Sequence, residues 1–128
     1  MSQEIPFQRG QTFSTAAEVP TEALRFNGDK PSLSYILTFP RAISEFARVC
    51  MYGAEKYDRG NYLKGGKPLS EYVDCLLRHL TAWQDGENVD PESGQHHLGH
   101  VVWNALALCQ FAISGNSIDD RINEEIYK

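Results

Sequence analysis

The chain has 128 residues and a mass of 14.4 kDa, which by length is one domain with room for one modest core. Its 41% hydrophobic and 23% charged residues are those of an ordinary soluble globular protein. A net charge of −5 and a pI near 5.3 exclude the basic footprint of a protein that grips polymeric DNA or RNA, or an anionic membrane surface. A single nucleotide is not excluded, because a pocket needs only a local cluster of cations or a metal.

Residues 1 to about 30 mix Ser, Thr, Gln, Gly and Pro without a sustained period and read as an N-terminal arm. They lack the apolar run of a secretory signal, and nowhere do 18 apolar residues follow one another. Leu33 to Phe39 is compatible with a short extended piece. The first helix is expected from Pro40, a residue suited to a first helical turn, through about Tyr57. Ala42, Ile43, Phe46, Ala47, Val49, Cys50 and Ala54 recur there at helical spacing. DRGNYLKGGKP follows as a loop.

A second helix is expected from Ser70, taken as its N-cap, to just before Gly86, with Val73, Leu76, Leu77, Leu80 and Trp83 as its apolar stripe. GENVDPESG makes a turn, in which Asp90, Glu92 and Ser93 are available as caps. The third helix runs from about Gln95 to Ile113, and a short polar helix from about Ile118 to Tyr127 closes the chain. The expectation is an all-α protein: an antiparallel bundle of three main helices plus the short C-terminal one. It forms a single domain over 1–128, with the arm at 1–30, the helical core at 31–114 and the tail at 115–128. Broad apolar stripes on so small a chain point to a homodimer or higher homo-oligomer. Cys50, Cys75 and Cys109 form no close pair and fit reduced thiols in a cytoplasmic protein.

All four histidines fall between His79 and His100. On a wheel at about 100° per residue, Leu98, Val101, Val102, Ala105, Cys109 and Ala112 form one apolar arc of the third helix. His97, His100 and Asn104 line one edge of that arc, and His96 points further round, toward solvent. His79 flanks the apolar stripe of the second helix. With these helices antiparallel, His79, His97 and His100 can converge with Asp90 or Glu92 near the turn. The result is a mixed nitrogen and oxygen site for a divalent transition metal, or a cationic cradle for phosphate. The plainer alternatives are histidines hydrogen-bonded at the edge of the core, Asp90 and Glu92 as N-caps, and Lys56 at a helix C-terminus.

GDKPSLSYI, PRAISEFARVCMYGAEKYDRGNY and LLRHLTAWQDGENVDPESGQHHLGHVVWNALAL together resemble the phage dATP/dGTP diphosphohydrolase domain, a MazG-like all-α nucleotide pyrophosphohydrolase group. The resemblance covers roughly residues 26 to 112. It implies hydrolysis of a deoxynucleoside triphosphate, dGTP or dATP, to the monophosphate and pyrophosphate with Mg²⁺ or Mn²⁺, in phage nucleotide-pool metabolism in the host cytoplasm. The wider group holds its metals with EExxE and ExxD carboxylates. This sequence has Arg78, His79 and Ala82 where the first is expected, and His97 and His100 where the second is expected. Imidazole favours manganese, zinc, iron or nickel over magnesium. Glu45, Glu71, Asp74 and Glu92 are the remaining candidate carboxylates.

Combined with the resemblance, the expected metal ligands are His79, His97 and His100, and the expected catalytic residues are Arg78, His79, Asp90 and Glu92. Substrate contacts are expected from Lys30, Lys56, Tyr57, Asn61 and Asn104, with Tyr57 or Tyr62 stacking on the base. The partners implied are a purine nucleotide and further copies of the chain, with no polymeric nucleic acid and no membrane. Two rival readings are a catalytically silent, sponge-like nucleotide-binding helical oligomer, and a purely structural helical oligomer in which the histidines are incidental.

Overall fold

The computed structural model describes residues 21–122, in which every extended element is a helix and no strand is present. The chain divides into two units, 1–35 and 36–128. In the first, the backbone N–H of Lys30 donates to the Asn27 carbonyl (3.0 Å) and that of Tyr35 to the Ser32 carbonyl (3.4 Å). These local turns lead into a 3-10 helix, Leu33–Thr38, where an extended piece was expected. Without a partner strand, the backbone satisfies itself through short-range bonds.

Three α-helices make up the second unit. α1 spans Pro40–Lys56, with Pro40 in its first turn and Lys56 in its last. α2 spans Leu69–Gln84 and α3 spans His97–Ser114. Each begins or ends within two residues of the boundary expected from periodicity. The loop between α1 and α2 contains a 3-10 turn, Asn61–Lys64. α3 packs against both other helices. α2 and α3 are antiparallel, because Tyr72 meets Phe111 at one end (ring centroids 5.6 Å) and His79 meets His100 at the other (4.1 Å).

The apolar core is small. Tyr72, Ala107 and Phe111 form its buried cluster, with Trp103 and Leu108 packed against it. At one point α1 and α3 come very close: a Cβ on Gly99 would lie 3.2 Å from both the Cβ and the carbonyl oxygen of Glu45. A side chain there would force the helices apart, so glycine permits the contact.

The start of α2 differs from expectation. Ser70 lies inside the first turn, and its N–H and hydroxyl both donate to the carboxylate of Asp120. A residue from the far end of the chain thus supplies the cap. A parallel bridge between Pro68 and Ile118 holds that tail segment, with Leu69 N–H donating to the Ile118 carbonyl and Ile118 N–H to the Lys67 carbonyl. Residues 115–122 therefore run as a non-helical strap, and the rest of the expected C-terminal helix lies outside the described residues. The expected arm over residues 1–20 lies outside them too. No helix of the described residues is long and apolar enough to cross a membrane.

Candidate functional site

The turn between α2 and α3 is a tight hairpin rather than an open loop. Val89 and His96 form an antiparallel bridge, Asp90 N–H donates to the Gln95 carbonyl (2.8 Å), and His97 N–H donates to the Asn88 carbonyl (2.9 Å). Gly94, at φ +71°, provides the left-handed residue that lets the chain reverse. His96 closes the hairpin and caps α3, its Nδ1 accepting the Leu98 N–H (3.0 Å). The cap is therefore not Asp90, Glu92 or Ser93, and His96 is half-buried rather than solvent-facing.

This hairpin sets Asp90 and Ser93 beside the histidines of both helices. The Asp90 carboxylate accepts the Glu92 and Ser93 N–H groups and, at 2.7 Å, the Ser93 hydroxyl. Having given its only proton to Asp90, the Ser93 oxygen must accept from His100 Nε2–H, also at 2.7 Å. Asp90 Oδ2 itself stands 3.6 Å from that nitrogen. Burial pushes the Asp90 carboxyl up, but the Ser93 and Glu92 hydrogen bonds and His100 outweigh it and hold it below the usual carboxylate range.

The rings of His79 and His100 stack face to face, 4.1 Å apart and 4° from parallel. Burial first, and then the neighbouring imidazole, lowers His100 to about 4 against the pull of Asp90. Burial also lowers His79, opposed by Asp90 and reinforced by His97 and Arg78. Both rings are neutral at pH 7, the form that binds metals. His97 lies alongside, its Nδ1 2.9 Å from His79 Nδ1 and its Nε2 2.7 Å from Glu87 Oε1. At 3% exposure His97 is better buried than Phe111 at 4%, so this polar group is as much the centre of the protein as its apolar core. Such burial is tolerable because every ring is hydrogen-bonded.

One ligand atom each from His79, Asp90 and His100 lies within 4.8 Å of the other two, the right scale for a shared divalent cation. Two imidazoles and one carboxylate suit a borderline transition metal better than magnesium. His97, expected as a third ligand, stands behind His79 with both ring nitrogens engaged.

The other expected residues of the second unit take different places. Asn104 is buried, and its amide donates to the His100 carbonyl (2.8 Å) and to Cys75 Sγ (3.4 Å), so it braces α3 against α2. Glu92 is exposed and accepts from Lys56 Nζ at 3.2 Å, tying the end of α1 to the hairpin. That contact first, then Tyr52 and Tyr57, raises Lys56, whose ammonium lies 5.9 and 5.5 Å from the two rings. Tyr57 is exposed at the C-cap of α1, and Asn61 opens the 3-10 turn. Tyr62, the other ring expected to stack on a base, packs edge-on against Trp103 (5.5 Å). Arg78 lines a shallow groove on α2 with Asp74, Thr81 and Asp85. Lys30 belongs to the 1–35 unit. Glu87, and Ser93 as a partner of His100, were missed because helical periodicity says nothing about a turn, although both lie within GENVDPESG.

A family model described as dATP/dGTP diphosphohydrolase, N-terminal, matches residues 20–121. A dATP/dGTP diphosphohydrolase of Salmonella phage PMBT28 is 30% identical over 98 residues, which is 77% of this chain and 32% of that protein. The chain thus spans about a third of the length of this curated relative. No solved structure matches it.

Proposed function

The chain belongs to the dATP/dGTP diphosphohydrolase N-terminal family, and from that premise we propose that it hydrolyses a purine deoxynucleoside triphosphate to the monophosphate and pyrophosphate, with a divalent metal, in a phage-infected cytoplasm. The observation that carries the reading is the His79, Asp90 and His100 cluster, three convergent ligand groups inside the matched region. These residues would hold the cation. When bound, it supplies a Lewis acid for phosphate oxygens and makes a coordinated water more acidic.

The chain's own groups do the rest. Lys56 gives one of its three ammonium hydrogens to Glu92 and keeps two for phosphate oxygens, and Arg78 is a further cation for the leaving pyrophosphate. Glu92 holds Lys56 in place for that role. The Asp90–Ser93–His100 chain is a run of three polar groups along which a proton can be held next to the reacting water. Tyr57 offers an exposed ring to the base, and Asn61 an amide. Leu77, Leu106 and Ile113 are 50%, 43% and 82% exposed, which supports a homo-oligomer as the working form.

The test incubates pure protein with each dNTP and Mg²⁺ or Mn²⁺ and resolves the products by chromatography. Release of dNMP and pyrophosphate from dGTP or dATP is the expected outcome; none from any substrate, by folded protein, sinks the enzyme reading. The single carboxylate of the cluster favours a second reading, nucleotide binding without turnover. Calorimetric binding that leaves the nucleotide chemically intact would select it. Light scattering after size exclusion checks the oligomer.

A further inference from the structure

The hydrogen bonds around His79, taken with a neutral His97, set which of its nitrogens carries the proton. Glu87 Oε1 is an acceptor, so His97 Nε2 must be the donor across their 2.7 Å contact. In the neutral ring that leaves His97 Nδ1 with a lone pair. The two Nδ1 atoms stand 2.9 Å apart, a distance that requires one proton between them. With His97 neutral it sits on His79 Nδ1, and His79 Nε2 is left as a bare lone pair; a charged His97 would give the reverse. His100 is fixed in the opposite sense, because Nε2–H donates to Ser93 and leaves Nδ1 free.

His97 is closed at both nitrogens and 3% exposed, so it has nothing left to offer a ligand. Glu87 is different: its side chain is 52% exposed, and it reaches His97 Nε2–H from the rim of the cluster. A half-exposed carboxylate pinned on a buried histidine, which is itself pinned on a second histidine, is an arrangement that orients a ring.

We propose that Glu87 and His97 are positioning residues that hold His79 in its Nδ1–H tautomer, presenting Nε2 to a divalent transition cation shared with Asp90 and His100. The proposal rests on the metal-dependent reading above for the existence of the cation, and on none of its nucleotide chemistry. It makes the cluster a two-layer device: His79, His100 and Asp90 around the ion, with Glu87–His97 behind the His79 imidazole. Outer partners of this kind typically change metal affinity by roughly 10- to 100-fold.

The experiment uses the full chain, without nucleotide. Co²⁺ is titrated calorimetrically and by its visible absorption, and the ¹⁵N shifts of the His79 ring are recorded on metal-free protein. Wild type is expected to bind Co²⁺ and to show a protonated Nδ1 with a bare Nε2 on His79. Glu87→Ala should weaken Co²⁺ by roughly 10- to 100-fold and shift His79 toward the Nε2–H form, with circular dichroism unchanged. Glu87→Gln, whose amide oxygen still accepts from His97 Nε2–H, should recover most of both. The proposal is overturned if wild type binds no Co²⁺, if Glu87→Ala binds as wild type does, or if His79 is Nε2–H throughout. Glu87→Gln failing as badly as Glu87→Ala would also overturn it, since Glu87 would then be a ligand. Inactivity toward every dNTP together with normal Co²⁺ binding would remove the hydrolase reading and leave this one intact.

Discussion

His79 of α2 and His100 of α3 lie face to face at 4.1 Å, the closest pairing of rings between any two helices among the described residues. Burial makes each ring resist protonation, and at His100 the stacked His79 imidazole adds to that resistance.

That resistance makes stability pH-dependent in a defined direction. His100 has a folded value of about 4 against 6.5 when free, so between those values the unfolded chain binds more protons than the folded one. Its stabilising contribution is complete above pH 6.5 and is lost as pH falls toward 4, a change on the order of 3 kcal/mol. Thermal melts of metal-free protein in EDTA should show Tm dropping through this window. His100→Gln should flatten the slope; equal slopes in both proteins would refute the account.

Ser93→Ala removes the hydroxyl between Asp90 and His100, leaving His100 Nε2–H without its acceptor. Urea denaturation at pH 7.5 should register a loss of about 1–3 kcal/mol. The carboxyl of Asp90 should also titrate higher, which ¹³C NMR of its side chain can follow. A Ser93→Thr variant keeps the hydroxyl and should stay close to wild type on both measures.

Phe111→Ala deletes the best-buried apolar side chain of a core that has few. The expected cost is about 3–5 kcal/mol, enough to unfold much of a small domain at 37 °C. A change in melting temperature of only a degree or two would mean that Tyr72 and Leu108 close the gap.

Gly99→Ala places a methyl group 3.2 Å from Glu45 at the α1–α3 crossing. Overpacking of this type costs about 1–3 kcal/mol. Hydrogen exchange should report it as faster opening of α1, with α2 little changed; uniform acceleration over all three helices would argue for a different contact.

Asp120→Ala frees the N–H and hydroxyl of Ser70 at the start of α2. A lost helix cap costs about 0.5–2 kcal/mol, and the first turn of α2 should lose hydrogen-exchange protection. Protection that is unaffected there would show that solvent caps α2 equally well.

The helix spans were legible because three stretches had helical periods and marked starts and stops, as at Pro40 and Gly86. The buried faces were not, since Ala105, Cys109 and Ala112 of the expected α3 arc and Val73, Leu77 and Trp83 of the α2 stripe are exposed. The same periodicity put His97, His100 and Asn104 on one edge and paired them with His79, and the structure brings these together. What was illegible lies where side-chain direction depends on tertiary contacts. The hairpin at 88–97 puts Glu87 and Ser93 into the cluster through backbone pairing that no wheel describes. Asp120 caps a helix 50 residues away, and a cap that remote has no local signature. His96 is a rare capping residue, and its role follows only from the bridge to Val89.

The strap at 116–120 gives the α2–α3 pair an uncommon connectivity. The two helices are joined covalently through the hairpin at one end, and at the other through Pro68–Ile118 and Ser70–Asp120. Together they form a closed circuit. One scission in the hairpin would leave α2 and α3 tethered, so a nicked protein should elute as a single species in native buffer and separate into two fragments in denaturant.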